Sequence, residues 1–297
     1  MTLLQQIFSR FFAVWICVSL SALFSSENTP QKSPEFFVVI PSYNNCQWCE
    51  RNLESVFAQT YQNWTLFYID DCSTDGTGEL VDKYVKARGM EQKCFVTHNS
   101  ERRGAMANLY FAIHQAAPDK IIVDIDGDDW LSDTQVFQTL ADAYKDPSCW
   151  MTYGSYQYEP GGERGICQPI PESFLVTGVY RADGRWITSH LKTFYAGLFH
   201  KIKKEDCMRD GKFLEITSDV AIIIPMFEMA LPNHIRYIDR IMYIYNFLNP
   251  LSDTRRRLLQ IETDFYIRSL EPYKPIGELF PKQPISEQAE IVSLQPS

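Results

Sequence analysis

The sequence lacks the short motifs by which several large enzyme classes bind phosphate or activate a nucleophile. It contains no GxxxxGK[ST] loop, which excludes a P-loop NTPase, and no GxGxxG, which argues against a dinucleotide site. It also contains no GxSxG elbow, which argues against a serine hydrolase. These absences point away from all three classes.

Positive charge is scarce as well. The chain of 297 residues has 28 Lys and Arg against 37 Asp and Glu, a formal net charge of −9. A nucleic-acid-binding surface needs clustered Lys and Arg, so we expect no nucleic acid partner. A nucleotide ligand is not excluded, because a metal ion can carry the charge of its phosphates. The 45% of hydrophobic residues is enough for a packed core.

The cysteines have no regular spacing. There are eight, and the single CxxC, Cys46 to Cys49, has no second pair with which to form a zinc site. A redox role for this pair and a plain helix face remain alternatives. Cysteine usage does not identify the compartment.

Long apolar runs are rare, and one stands at the N-terminus. Residues 11–24 (FFAVWICVSLSALF) carry no charge and follow Arg10. The run is shorter than the roughly 20 residues that span a bilayer, so it resembles the core of an export signal, with a short membrane anchor as the alternative. We therefore predict a signal or anchor over residues 1–26, a polar linker over 27–34, and a membrane-associated or exported protein.

Apolar strands alternate with amphipathic helices over the next hundred residues. Buried strands are predicted at 35–40, 64–69, 93–97 and 120–124, with helices between them, the first at about residues 47–60. This alternation predicts an α/β fold with a mostly parallel, Rossmann-like sheet and helices on both faces. In such sheets ligands bind beyond the carboxyl ends of the strands.

Polar clusters follow each of these four strands. They are Pro41-Ser-Tyr-Asn44, Asp70-Asp71, His98-Asn99 and Asp126-Gly-Asp-Asp129. The last cluster follows a β-branched run that ends at Asp124. Closely spaced carboxylates suit a hard cation such as Mg²⁺ or Mn²⁺, so we predict a metal site for a nucleotide diphosphate at this edge.

The regular alternation weakens after residue 147. A strand is predicted at 151–158, an apolar helix with Pro225 inside it follows Asp219, and a closing helix is predicted at 252–270. We place a nucleotide half at 35–133, an acceptor half at 134–250, and a helix with a loose tail at 251–297.

The successive motifs resemble those of the family 2 glycosyltransferases, in the same order. They are Val38 to Asn45, Asn52 to Val56 with Gln59-Thr60, Asp70 to Thr77, Asn99 to Asn108, and Asp126 to Asp129. The resemblance covers residues 36–246 and is most specific before residue 133. It implies a GT-A fold, a nucleotide-sugar donor, and a divalent Mn²⁺ or Mg²⁺ ion.

The resemblance also implies roles for single residues on the nucleotide side. Pro41, Tyr43 and either Asp70 or Asp71 would hold the base and ribose, and Arg103 and Asn108 lie in a segment that approaches the nucleotide. Asp126 and Asp128 match the DxD motif, which contacts the ribose and, through the metal, the diphosphate. Asp129 would orient this pair, and Asp124 would be structural.

On the acceptor side the family has an acidic general base near a helix start. Asp219 takes that place here, with Glu228 as the alternative base and a plain helix N-cap as the alternative role of Asp219. His190 would contact the acceptor or a phosphate.

The expected activity is inverting, metal-assisted transfer of a sugar from a nucleotide-diphosphate sugar to a hydroxyl of a glycan, lipid or protein. The family resemblance favours a UDP-sugar. A noncatalytic binding protein with the same fold is the alternative. A sugar nucleotidyltransferase is disfavoured, because Pro41-Ser-Tyr-Asn44 occupies the place of its glycine-rich loop.

Overall fold

Strand β1 (Phe36–Ser42) is apolar on both sides because both faces of the sheet around it are covered. Val38 and Ile40 pack into one hydrophobic core and Val39 into the other. Side chains alternate between the faces of a strand, so an uninterrupted apolar run indicates burial on both sides. The computed structural model describes residues 33–177 and 180–280; the predicted N-terminal segment (1–26) and the residues after 280 lie outside this description.

The strands of the structure have the following bounds. After β1 come β2 (Trp64–Asp70), β3 (Cys94–His98), β4 (Ile121–Asp124), β5 (Trp130–Leu131), β6 (Met151–Glu159), β7 (Ser189–Tyr195), β8 (Met208–Arg209), β9 (Lys212–Phe213) and β10 (Ile235–Asn246).

The main sheet has the order β3-β2-β1-β4-β7-β6-β10-β5. The pairs β2–β3, β1–β2, β1–β4 and β6–β10 are parallel, whereas β4–β7, β6–β7 and β5–β10 are antiparallel. The predicted parallel sheet is therefore confirmed for the first four strands. The same sheet continues through the second half of the chain. There the sequence predicted β6 but neither β7 nor β10.

Helices cover both faces. They are α1 (Cys49–Phe57), α2 (Thr77–Ala87), α3 (Ala105–Ile113), α4 (Val136–Ala143), α5 (Glu172–Thr177), α6 (Tyr180–Asp183), α7 (Ala196–Phe199), α8 (Ser218–Ala230) and α9 (Arg257–Ser269). Helices α1, α2 and α4 pack on one face, and α3 and α8 on the other. Helix α8 is buried along its length from Val220 to Ala230, which explains its nearly uniform apolar sequence.

Two helices are shorter in the structure than the sequence predicts. The helix predicted at 47–60 is Cys49–Phe57, and the closing helix predicted at 252–270 begins at Arg257. In the second case the chain first makes a turn, in which the Leu251 N–H donates to the Asn249 side chain, and a 3-10 turn, Asp253–Arg255. Competing side-chain hydrogen bonds of this kind delay helix starts.

From Pro34 onward the described chain forms one unit, in which both predicted halves share the sheet. Within the described residues, no helix combines the length and apolar character needed to cross a bilayer.

Candidate active site

The carboxyl ends of β1 and β4 approach each other closely. Gly127, just beyond β4, lies against Ser42 at the end of β1, and a Cβ atom on Gly127 would stand 2.6 Å from the Ser42 Cβ atom. The Gly127 N–H donates to the Pro41 carbonyl (3.2 Å), and the Ser42 hydroxyl accepts from Tyr68 (2.8 Å). This close approach therefore requires glycine within the acidic loop, Asp126 to Asp129, and the loop is fixed to the carboxyl end of β1.

Two asparagines hold the acidic loop from opposite sides. The Asn52 side chain on α1 donates to the carbonyls of Asp126 (2.9 Å) and Asp129 (2.7 Å). Asn246 at the end of β10 donates its N–H to the Asp129 carboxylate (2.7 Å) and its amide to the Asp128 carbonyl (3.1 Å). Asp129 is buried, and its contacts agree with the predicted orienting role.

Asp126 and Asp128 are half-buried, so part of each side chain is accessible. The Asp126 side chain is 42% exposed, and its backbone N–H donates to the Tyr243 hydroxyl (3.0 Å). The Asp128 carboxylate accepts a hydrogen bond from Asn249 (2.7 Å). Both carboxylates thus keep oxygen lone pairs that can bind a ligand.

A buried lysine lies among the acidic groups. The Lys192 ammonium on β7 is 3.2 Å from the Asp124 carboxylate, and both side chains are buried. Burial alone lowers the pKa of Lys192, but the carboxylates of Asp124, Asp219 and Asp126 outweigh it and raise that pKa. The lysine stays charged and acts on the acidic loop and on the predicted base together.

The same charges set the pKa values of the carboxylates. Desolvation by the surrounding protein raises the pKa of Asp126 to about 7, although the charge of Lys192 acts to lower it. Because 42% of the side chain meets water, screening keeps the rise smaller than full burial would. Burial likewise raises the pKa of Asp219, and Lys192 again opposes it.

Asp219 lies in the first turn of α8, inside the helix. The N-cap residue is Thr217, so the alternative role of Asp219 as N-cap does not apply. Its carboxylate accepts the N–H of Val220 (2.9 Å) and remains partly exposed. A carboxylate is favoured in this position by the positive end of the helix dipole.

Glu228, the alternative base, is occupied. Its carboxylate forms a bidentate pair with Arg181 (2.7 and 2.9 Å) and accepts the N–H of Tyr273 (3.0 Å). Glu228 and Arg181 are both buried. The structure therefore removes Glu228 as a general base and assigns it a structural role.

His190 on β7 lies beside the acidic loop. Its ring stacks on Tyr243 (centroids 4.6 Å apart), and its Nε2 atom is 3.8 Å from an Asp126 carboxylate oxygen. Burial, with the nearby charge of Lys192, holds the pKa of His190 well below its usual range. The imidazole is therefore neutral, and its contact with Asp126 is not an ion pair.

At the edge predicted to bind the nucleotide, Asp71 organises a loop. Its carboxylate accepts the N–H groups of Arg103 (2.9 Å) and Gly104 (2.8 Å) and the amide of Asn99 (2.7 Å). Although burial raises the pKa of Asp71, these hydrogen bonds outweigh it and lower that pKa. Asn108 is buried and accepts from Asn99 (2.9 Å), so it supports this loop from within.

The other predicted nucleotide residues lie at the same edge. Asp70 is buried and lies 3.3 Å from the His98 ring. Pro41 is buried, while Tyr43 is half-buried with the Arg102 guanidinium 3.9 Å above its ring. The Arg103 side chain is exposed.

Four residues that hold the site were given no role there from the sequence: Asn52, Lys192, Tyr243 and Asn249. Lys192 offered a signal, because it is a charged residue within an otherwise apolar or uncharged strand, Ser189–Tyr195. Asn52 stands on the buried face of α1, where a polar side chain needs a partner. The other two depend on the position of β10, which no local pattern predicts.

The donor set fits a divalent ion that is shared with a substrate. Among the described residues, no three His, Cys, Asp or Glu side chains are grouped to hold a metal by themselves. Mg²⁺ is usually bound by one or two carboxylates together with waters and substrate phosphates. Asp126 and Asp128 supply two such carboxylates.

Residues 37–203 match the sequence profile described as Glycosyl transferase family 2. TuaG of Bacillus subtilis (strain 168), whose name assigns it provisionally to teichuronic acid biosynthesis as a glycosyltransferase, is 32% identical over 101 residues, 34% of this chain. Glycosyltransferase GlyG of Streptococcus pneumoniae is 28% identical over 119 residues, 40% of this chain. The matched segments span 38% of the length of each of these relatives.

Solved structures show the same fold. Mannosyltransferase PcManGT from Pyrobaculum calidifontis, in complex with GDP-Man and Mn²⁺, superposes with a TM-score of 0.56 at 20% identity, over 82% of this chain and 67% of that one. S. aureus TarS 1-349 with UDP gives 0.53 at 18% identity, over 80% and 67%. The sheet is that of a GT-A fold, and the chain belongs to glycosyl transferase family 2.

Proposed function

We propose that this protein transfers a sugar from a nucleotide-diphosphate sugar to a hydroxyl group of a glycan, lipid or protein, with inversion at the anomeric carbon. One observation carries the proposal: the buried ammonium of Lys192, paired with Asp124 at the end of β4 (3.2 Å), lies close enough to the carboxylates of Asp126 and Asp219 to act on both. The predicted donor-side and acceptor-side carboxylates thus lie near one another, as a single displacement requires.

Asp126 and Asp128 would hold the diphosphate of the donor together with a Mn²⁺ or Mg²⁺ ion. When bound, such an ion supplies charge stabilisation to the leaving diphosphate. PcManGT, of the same fold, carries Mn²⁺ with its nucleotide sugar, which supports this choice of ion. Asn249, bonded to the Asp128 carboxylate (2.7 Å), keeps that group oriented.

Asp219 would accept the proton of the attacking hydroxyl. A base is most effective when its pKa approaches the working pH, and burial raises the pKa of Asp219 in that direction. The charge of Lys192 opposes this rise in the pKa of Asp219. Neutral His190, beside Asp126, is placed to contact a phosphate or the acceptor without adding charge.

The nucleotide would lie between Tyr43 and the loop that Asp71 closes, with Arg103 exposed at its entrance. TarS binds UDP and UDP-GlcNAc, whereas PcManGT binds GDP-Man, so relatives of this fold accept different bases. We propose a UDP-sugar as the first donor to test. Membrane association or export through residues 11–24 remains a prediction.

The test is a donor panel in which release of the nucleoside diphosphate is measured with Mn²⁺, with Mg²⁺ and with a chelator. We expect Asp126→Asn and Asp128→Asn each to lower turnover by roughly 100-fold or more. Asp142→Asn, which changes an exposed acid on α4, is the matched control. Wild-type turnover in Asp126→Asn or Asp128→Asn with metal present would refute the proposal. Titration calorimetry that shows donor binding by the wild type without turnover would favour a noncatalytic binding protein.

A further inference from the structure

One part of the surface is unusually apolar. Large apolar side chains that stand in water are concentrated in residues 247–265, where Leu258 is 85% exposed and Phe265 is 70% exposed. We call this group the apolar rim; its members are Phe247, Leu248, Leu251, Leu258, Ile261 and Phe265. Contiguous exposed apolar groups on a soluble surface commonly mark an interaction site.

The rim comprises one face of α9 and the loop before it. Leu258, Ile261 and Phe265 are spaced by three and four residues on α9, so they lie along one face of that helix. The guanidinium of Arg255, two residues before α9, lies 5.5 Å from the ring of Phe247. The preceding loop therefore contacts the chain at the start of this helix.

The opposite face of α9 is used for folding. Thr263 and Ile267 are buried, and the Tyr266 hydroxyl donates to the Met208 carbonyl (2.9 Å). Arg268 donates to the carbonyl of Arg181 (3.1 Å). Because the inner face already fixes the helix, the outer apolar face contributes nothing that folding requires.

Arginines border the rim. Arg255, Arg256 and Arg257 are consecutive and exposed, and Arg256 pairs with Glu215 (2.8 Å). Within the part of the chain that the structure describes, neither Arg255 nor Arg257 forms an ion pair with a carboxylate. The chain carries −9 overall, so attraction to a negative surface has to come from such a local group within a Debye length of about 10 Å.

We infer that the apolar rim docks on an anionic lipid bilayer and that the acceptor reaches Asp219 and the acidic loop from that bilayer. An amphipathic helix with arginines at its border and Leu and Phe on its apolar face lies in the membrane interface in this way. The second half of the inference rests on the proposed function. It is supported by Asn249, which lies between Leu248 and Leu251 and bonds the Asp128 carboxylate (2.7 Å).

The experiment places a tryptophan on the rim of the full chain. Phe265→Trp is compared with Phe95→Trp, a matched change at an exposed phenylalanine on β3, away from the rim. Each is mixed with phosphatidylcholine vesicles with or without phosphatidylglycerol and with brominated acyl chains. For Phe265→Trp, we expect the fluorescence added to that of the wild type to shift to the blue and to be quenched by the brominated chains. Both effects should be stronger with phosphatidylglycerol. For Phe95→Trp, we expect neither effect.

The predicted N-terminal segment is the same in both variants, so it cannot produce the difference. Arg255→Gln combined with Arg257→Gln should remove the preference for phosphatidylglycerol. Equal, unquenched signals from the two tryptophan variants would overturn the inference, as would a blue shift without vesicles that grows with protein concentration, which indicates a second copy. Donor binding is measured on the same samples. If Phe265→Trp is not quenched but the donor still binds, docking alone is refuted. If the donor does not bind, the proposed function is refuted.

Discussion

Lys192 and Asp124 form an ion pair of 3.2 Å with both side chains buried, and they join the two neighbouring antiparallel strands β7 and β4. Asp124 was predicted to be structural, and its partner gives the reason. The pair connects the strand that delivers the acidic loop to the strand that carries His190. The positive charge of Lys192 also acts on Asp126 and Asp219.

Breaking this pair from one side should be costly. Lys192→Met leaves Asp124 buried without a partner, so we expect the free energy of unfolding to fall by about 3–5 kcal/mol. Urea unfolding measures the loss. The double variant Lys192→Met with Asp124→Asn also removes the unpaired charge of Asp124 and should be more stable than Lys192→Met alone. A double variant that is less stable would contradict this account.

Asp219→Asn should lower kcat by about 10²–10⁴-fold, because it removes the proposed base and leaves the acidic loop unchanged. Donor affinity, measured by calorimetry, should stay the same. In the wild type, activity depends on ionised Asp219 and is lost as pH falls through its pKa. Since burial raises that pKa, the acid limb of the kcat profile should lie above the usual range of an aspartate.

Asp253→Asn is the control for this prediction. Asp253 is the acid of the turn before α9, and its charge acts on Asp219. We expect Asp253→Asn to retain most of the turnover. Loss of turnover in Asp253→Asn together with retained turnover in Asp219→Asn would transfer the role of base to Asp253.

Gly127→Ala tests the close approach of the acidic loop to β1. The new Cβ atom would lie 2.6 Å from both the Cβ and the hydroxyl of Ser42, so the loop must move. We expect a destabilisation of about 1–3 kcal/mol and reduced turnover. Gly277→Ala, where a Cβ atom meets nothing within 4 Å, should change neither thermal unfolding nor turnover. Wild-type stability and turnover in Gly127→Ala would show that the acidic loop approaches β1 less closely than this.

His98 links stability to pH at the end of β3. Its side chain is partly buried, which lowers its pKa, but contacts with Asp70 (3.3 Å) and Asp82 (3.1 Å) outweigh this and raise that pKa. The stabilisation is therefore complete below the unfolded pKa of about 6.5 and disappears as pH rises through the higher folded pKa.

His98→Gln should accordingly lose more stability at about pH 5.5 than at about pH 8.5. The exposed ring keeps the difference under about 1 kcal/mol. Urea midpoints of wild type and variant at the two pH values measure it. An equal loss at both would mean that the ring acts through packing.

The first four strands and the edge where their polar ends meet were predictable, because uninterrupted apolar runs such as residues 36–40 arise from burial on both faces. The order of strands in the second half was not. Strand β10 lies parallel to β6 across some eighty residues of intervening chain, and β7 enters between β4 and β6. Such pairings depend on long-range packing, which leaves no local pattern.

Site residues followed the same division. Asp126, Asp128 and Asp129 could be selected from spacing and resemblance, since they lie in one loop. Asp71 and Asn108 were predicted to lie near the nucleotide, but their hydrogen bonds within the Arg103 loop become visible only when that loop is closed. Glu228 was the alternative general base by sequence, and only the fold shows that Arg181, from a distant helix, pairs with it.

The two hydrogen bonds from Asn246 to the acidic loop have a consequence for engineering. The predicted nucleotide half at 35–133 receives these bonds from a residue that lies more than a hundred positions later in the chain. A chimera that joins this half to the acceptor half of a relative would separate Asp129 from Asn246. Exchange of acceptor specificity should therefore keep β10 through Asn249 with its own acidic loop and replace only segments outside that strand.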